Sequence, residues 1–372
     1  MNGATTNSFP RVRFSLTPAG VVCLCLGAWG CLAIYNATFH LASAFHFVGR
    51  QVVWLVPGTI ALLITSGQGP EAYRRGAPVI GGITYALLWL VLLFGIRVNG
   101  MRGWFAWHGI FLQPSELAKP AFVLALALLF ERTRAHAGSW TRGYAPLLAL
   151  VVVWVAPIVL QPDFGAVLVY VFTFAAMYWG AGGRTKHLAI SGLAAVPLVI
   201  LALQQNPYVQ RRVLAFFRPE AYAHTSGWHI LQFQRTLASG GLTGRSWGHG
   251  LWSQAYLPLG YSDSIFASTA EAIGFLGVVP IVLAILAWVV YGVCRARLAT
   301  GVFTRAVVIG MVAMLAGQAF IHLSVTLGLL PPTGVTLPLV SYGGSSLLSS
   351  LAGVGIVEGV FRAPHEFSPG VH

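Results

Sequence analysis

Apolar runs of about twenty residues recur along the chain, separated by short polar stretches. Read as helices, they fall at roughly 18–36, 47–66, 77–96, 115–131, 144–161, 164–181, 187–204, 264–294, 302–327 and 338–361. A helix of that length crosses the roughly 30 Å hydrocarbon core of a bilayer. The fold class expected is an all-α polytopic membrane protein of about ten transmembrane helices, because helices satisfy their own backbone groups in lipid. One polar interruption is long, about 205–263 between the seventh and eighth helices. A single transmembrane domain over 18–361 is therefore expected, with tails at 1–17 and 362–372. No small-residue cleavage site follows the first apolar run, which reads as an uncleaved helix.

Ten spans put both termini on one side, and the basic residues choose which side. Arg11, Arg13, Arg74, Arg75, Arg132, Arg134, Arg142, Arg184, Lys186, Arg295, Arg297, Arg305 and Arg362 fall on the terminal side, thirteen of 22. The opposite short loops carry only Arg50, Arg97, Arg102 and Lys119. By the positive-inside rule both termini are expected to be cytoplasmic and the long loop to lie on the outer face.

Composition agrees with the pattern. The 372 residues are 56% hydrophobic and 8% charged, with a mean hydropathy of +0.75. The net charge of +13 follows from membrane orientation, so no nucleic-acid partner is expected. Cys23, Cys25, Cys31 and Cys294 lie in apolar helices, which suggests neither a disulfide framework nor a metal-ligand spacing. In the long loop, Trp228, Trp247, Trp252 and the Gly240-Gly241 turn argue against disorder, and Trp228–Leu237 is amphipathic enough to lie in the interface.

Candidate chemistry follows from where charges interrupt the apolar pattern. The chain has only two aspartates, Asp163 and Asp263. Asp263 sits in Leu257–Gly277, where the long loop meets the eighth helix. It could cap that helix or be a functional acid at the membrane boundary. Asp163, in Gln161-Pro162-Asp163-Phe164-Gly165, reads as a cap for the sixth helix. Glu116 and Lys119 stand i,i+3 at the start of the fourth helix and can pair, either as a neutralised structural pair or as part of a charged site. Gly328–Ser346 holds three prolines and four glycines beside Ser341, Tyr342, Ser345 and Ser346. It cannot form a regular helix and reads as a re-entrant segment beside a cavity.

The stretches GIRVNG–RGW, QPSELAK, QPDFG, ASGGLTGRSWGHG, SDSIFASTAEAIGFLG and LLPPTGVTLPLVSYGGSS resemble those of the RodA/FtsW (SEDS) family. The resemblance implies a peptidoglycan glycosyltransferase that polymerises lipid II, an undecaprenyl-pyrophosphate-linked glycan precursor, at the outer face of the bacterial inner membrane. It also implies a class B penicillin-binding protein as partner. By position it makes Asp263 catalytic and Trp104, Arg102, Glu116, Lys119, Arg212, Ser341 and Tyr342 substrate-binding. The chain departs from the family pattern at Leu259-Gly260-Tyr261, at Gly103, at Arg218, at Ala272, and at His322, where an Asn is usual. It reads as a divergent member.

Attack by a sugar hydroxyl on a lipid-pyrophosphate-activated sugar needs a base at the nucleophile. It also needs cationic stabilisation of the leaving pyrophosphate, from Arg, Lys or a divalent cation such as Mg²⁺ or Mn²⁺. Inversion at the anomeric carbon needs one carboxylate only, by analogy with inverting hydrolases. The alternatives are a flippase for the same lipid, which would want ionisable groups near the midplane, and a silent scaffold for the penicillin-binding protein.

Overall fold

A computed structural model describes residues 17–98, 100–205, 207–225, 227–257 and 259–361. Arg11, Arg13, Arg362, Pro258, residues 1–16 of the N-terminal tail and the whole C-terminal tail therefore lie outside the described residues. The described chain is mostly helical. Helices occupy each stretch whose apolar run predicted one: α1 (Pro18–Thr38), α2 (Ala44–Ser66), α3 (Pro70–Phe94), α4 (Pro114–Thr133), α5 (Ala145–Leu160), α6 (Phe164–Gly180) and α7 (Thr185–Gln205). In the long loop come α8 (Pro207–Phe217), α9 (Trp228–Gly240) and α10 (Leu251–Ala255), followed by α11 (Ile265–Leu298), α12 (Val302–Thr326) and α13 (Gly344–Gly359). Among the described residues six helical stretches are long and apolar enough to cross a membrane: α1, α2, α3, Trp140–Leu160, α11 and α12.

Local chemistry explains the helix starts. Pro18, Pro70 and Pro114 open α1, α3 and α4, where a missing N–H costs nothing. Thr17 caps α1 and Asp163 caps α6 through its side chain. The centre of the bundle is α4, α12 and α13, buried on nearly every side. In α2 and α3 apolar residues such as Val53, Leu93 and Phe94 remain exposed, as lipid-facing helices require.

Four features correct the reading from sequence. The chain is not all-α: between α3 and α4 lies a three-stranded antiparallel sheet, β1 (Ile96–Val98), β2 (Met101–Trp107) and β3 (Ile110–Leu112). The β2–β3 turn places His108 and Gly109 at φ +44° and +80°, the two positive φ values of a tight hairpin turn. The tenth helix begins at Gly344 rather than at 338, because Pro338 and the glycines leave residues 327–343 irregular.

The eighth helix is broken. At Gly274 the backbone turns to φ +72°, ψ 179°. Around the break, Arg245 and Ser246 donate backbone N–H groups to the carbonyls of Glu271 and Ala272, and Phe275 and Leu276 donate to Gly241 and Leu242. A Cβ on Gly244 would lie 2.3 Å from the Ala272 oxygen. The glycine-rich ASGGLTG stretch is thus the partner that re-satisfies the broken helix. Finally, Trp228–Leu237 does not lie free as an amphipathic surface segment. In α9, Ile230 and Phe233 are buried and Leu237 packs with Phe266, Ala270 and Val278 of α11.

Candidate active site

Asp263 stands on the tight loop between α10 and α11. Helix α11 begins at Ile265 with Ser264 at its N-cap position, so the carboxylate does not cap the helix. Two backbone contacts define the loop, Ser262 N–H and Ser264 N–H to the Leu259 carbonyl at 2.9 and 3.4 Å. Burial pushes the Asp263 carboxyl up to about 6, and the Asp163 charge adds to that rise. A hydrogen bond with Ser262 and the Arg212 guanidinium charge oppose it. The side chain is half-buried. A carboxylate with a raised pKa in a partly enclosed position is suited to accept a proton near neutral pH.

The irregular segment before α13 forms the opposite wall. A Cβ on Gly334, which sits at φ +75°, would lie 3.5 Å from a carboxylate oxygen of Asp263. Side chains from other elements pin this segment. Arg212 on α8 donates to the Pro332 carbonyl at 3.2 Å. His322 Nδ1 lies 2.7 Å from the Val335 carbonyl. The Gln318 amide donates to the Thr336 carbonyl at 3.0 Å and the Ser346 hydroxyl at 3.2 Å. The absence of a side chain at Gly165 lets the Thr333 carbonyl and Val335 approach the start of α6.

Ser341 and Tyr342 act on the Asp263 loop from this segment. The buried Ser341 hydroxyl accepts from Leu337 N–H and donates to the Ser262 carbonyl, both at 2.8 Å. Tyr342 N–H donates to the Tyr261 carbonyl at 2.9 Å. The rings of Phe47, Tyr261 and Tyr342 pack together with centroids 4.6 to 5.6 Å apart. Both residues therefore hold the loop that presents Asp263.

Lys119 and Glu116 form a tight pair at 2.5 Å, with Lys119 only 2% exposed. The ammonium also donates to the Gln318 oxygen at 2.7 Å. Gln318 thereby links the pair to Thr336 and Ser346. Asp163 caps α6 through Ala166 N–H at 3.0 Å and accepts from Ser115 and Gln113 at 3.0 and 3.1 Å, tying the starts of α4 and α6 together. Burial raises its pKa against the Ala166 bond, and the nearby Glu116 charge raises it further.

Two further expected residues, Arg102 and Trp104, lie on β2. The Arg102 guanidinium donates to the carbonyls of Leu92 and Gly95, both at 2.9 Å, and so closes the C-terminus of α3. Trp104 is half-buried on β2, paired with Ile96. Gln51 and Gln318 belong to none of the sequence motifs, yet both are buried. Gln51 holds the Ser341 carbonyl and Gly343 N–H. An amide inside an apolar helix was the available signal.

Among the described residues no group of three or more His, Cys, Asp and Glu could hold a metal ion. A cavity of about 900 Å³ lies elsewhere, between α6, α11 and α12, and is almost wholly apolar. None of the site residues lines it.

The model of a family of cell cycle proteins, FtsW/RodA/SpoVE, matches residues 18–365. The chain is 31% identical over 339 residues to the probable peptidoglycan glycosyltransferase FtsW of Trichlorobacter lovleyi, covering 89% of each. It is 31% identical over 351 residues to the stage V sporulation protein E of Bacillus subtilis, covering 92% of this chain and 95% of that one. A solved chain from a peptidoglycan synthase complex that coordinates polymerization and crosslinking superposes with a TM-score of 0.76. It is 29% identical, with 94% of this chain and 98% of that chain covered.

Proposed function

The chain belongs to the FtsW/RodA/SpoVE family, and on that premise we propose that it is a peptidoglycan glycosyltransferase that polymerises lipid II, with Asp263 as general base. The observation that carries the assignment of the base is the Asp263 carboxylate, raised to about 6 and facing Gly334. In each cycle the carboxylate takes the proton of the acceptor sugar hydroxyl. The oxygen attacks the anomeric carbon of the donor, the bond to the pyrophosphate breaks, and undecaprenyl pyrophosphate leaves with the electron pair. The new linkage has inverted configuration, so no covalent sugar intermediate forms.

Arg212 is the cation that acts on Asp263 electrostatically, and we assign it to the leaving pyrophosphate. Trp104, Glu116 and Lys119 are assigned to the substrate side of the same face. Ser341 and Tyr342 serve it by holding the Asp263 loop. Among the described residues no cluster of His, Cys, Asp and Glu is built to hold a resident metal, so a divalent cation would arrive on the pyrophosphate oxygens of the substrate. When bound it would neutralise charge on the leaving group.

The protein is a multi-pass membrane protein. We place it in the inner membrane with ten spans, both termini cytoplasmic and 205–263 periplasmic, which the thirteen-to-four basic asymmetry supports. A class B penicillin-binding protein is the proposed partner, since the solved relative belongs to a synthase complex.

Purified protein and Asp263→Asn, supplied with lipid II, test the reading. Wild type should release undecaprenyl pyrophosphate and form glycan strands. The Asn variant should fold but lose roughly 10²–10⁴-fold in rate. Normal polymerisation by a well-folded Asp263→Asn protein would sink the base assignment. A wild type that moves the lipid without releasing pyrophosphate would point to the flippase, and one that does neither to the scaffold.

A further inference from the structure

His322 lies fully buried in α12, one turn beyond Gln318. A carbonyl oxygen has no proton to give, so at 2.7 Å from Val335 O the His322 Nδ1 must be the donor. That fixes the tautomer: Nδ1 carries the proton and Nε2 is a bare lone pair, which finds no hydrogen-bond partner among the described residues. Gln318 and His322, four residues apart on one helix face, hold the consecutive carbonyls of Thr336 and Val335.

These bonds act where the chain is least able to hold itself. Residues 333–335 lie outside any helix or strand. Gly334 adopts a positive φ, and a Cβ on it would point at the Asp263 carboxylate. The Thr333 carbonyl and the Val335 side chain, from its two neighbours, press against Gly165 at the start of α6. A glycine in such a strap has the widest conformational freedom of any residue. The His322 bond fixes the peptide immediately after it.

We propose that His322 is a positioning residue for glycosyl transfer. Its Nδ1–H holds the Val335 carbonyl so that Gly334 forms one wall of the space in which the Asp263 carboxylate meets the acceptor hydroxyl. This rests on the reading of Asp263 as the base. The geometry also says which side chains can replace it. An Asn amide nitrogen sits the same number of bonds from the backbone as Nδ1 and can donate to the same carbonyl. A Gln amide lies one bond farther out, at the position of Nε2, and Leu has no donor.

The test is steady-state polymerisation of lipid II by full-length wild type, His322→Asn, His322→Gln and His322→Leu. His322→Asn should keep kcat within about threefold. His322→Gln and His322→Leu should lose on the order of ten- to a hundredfold in kcat with KM within about twofold, the signature of misplaced catalytic groups rather than lost binding. Gly334→Ala, which adds a methyl group beside Asp263, acts on the same wall and should lower kcat alike. Wild-type kcat in the Leu or Gln variant overturns the proposal, as does an Asn variant no better than Leu. Should the Leu and Gln proteins fail to fold, a normal kcat in Gly334→Ala overturns it instead. Asp263→Asn in the same assay separates the two readings. If that variant is active the base assignment fails, whereas if it is dead while His322→Leu is normal only this inference fails.

Discussion

Lys119 and Gln318 meet at 2.7 Å across the interface of α4 and α12, and that contact joins a buried ion pair to the backbone opposite Asp263. The ammonium is balanced by Glu116 one turn earlier on its own helix. Its third neighbourhood, through Gln318, is the Thr336 and Ser346 cluster.

Removing one member of this pair strands the other in a low-dielectric site at a cost of about 3–5 kcal/mol. Lys119→Ala and Glu116→Ala should each lower the thermal midpoint of detergent-purified protein and impair polymerisation. The double replacement Glu116→Gln with Lys119→Met should recover much of the stability but not the activity. Single variants as stable and active as wild type would show that the pair contributes to neither stability nor catalysis.

The raised Asp263 pKa sets the acid limb of the reaction. A base must be ionised, so the rate should fall about tenfold per pH unit below about 6. The Arg212 charge pulls that pKa down, so Arg212→Gln should move the limb to higher pH. Stability has the opposite sense. The folded pKa lies above the unfolded value of about 3.9, so the protonated carboxyl's contribution is complete below about pH 4 and lost as pH rises through about 6. Asp263→Asn should therefore melt above wild type near pH 8, with the gap closing toward pH 4. A rate independent of pH from about 5 to 8 would refute the assignment.

Ser341 satisfies two buried backbone groups at once, Leu337 N–H and the Ser262 carbonyl. Ser341→Ala leaves both unpaired, at about 1–3 kcal/mol each. It should lower the thermal midpoint and reduce kcat, because Ser262 adjoins Asp263. Unchanged kcat would show that the loop holds Asp263 without this brace.

Arg102 spends its guanidinium on the last carbonyls of α3. Arg102→Ala should lower stability by roughly 0.5–2 kcal/mol, as loss of a helix cap does. KM for lipid II should stay within about twofold of wild type. A large rise in KM with unaltered melting would return Arg102 to the substrate site.

Glu271 is fully buried and accepts the backbone N–H groups of Trp252 and Ser253 at 3.0 and 2.7 Å, tying α10 to α11. Glu271→Ala strands those donors and should make the stretch from 241 to 257 more sensitive to protease. Equal cleavage rates in mutant and wild type would show that the loop is held by its glycine-rich contacts alone.

The helices were legible in the order of residues because each rests on a local period: twenty apolar positions make a helix that lipid can surround. So were the cap at Asp163, the i,i+3 spacing of Glu116 and Lys119, and the irregular backbone of Gly328–Ser346, all set by residues close in sequence. Asp263 stood out because an acid is rare in such a chain. What lay between distant segments was not legible. That Gly244 docks on the break at Gly274, that Arg102 turns back to Leu92, and that Gln51, Gln318 and His322 clasp the strap facing Asp263 depends on pairings with no sequence period. Buried polar groups must each find a partner, and the partner is chosen by which helices touch. Asp263 could be named from the sequence, whereas the wall opposite it, and the buried side chains that hold that wall, were decided by the packing of α4, α6, α12 and α13.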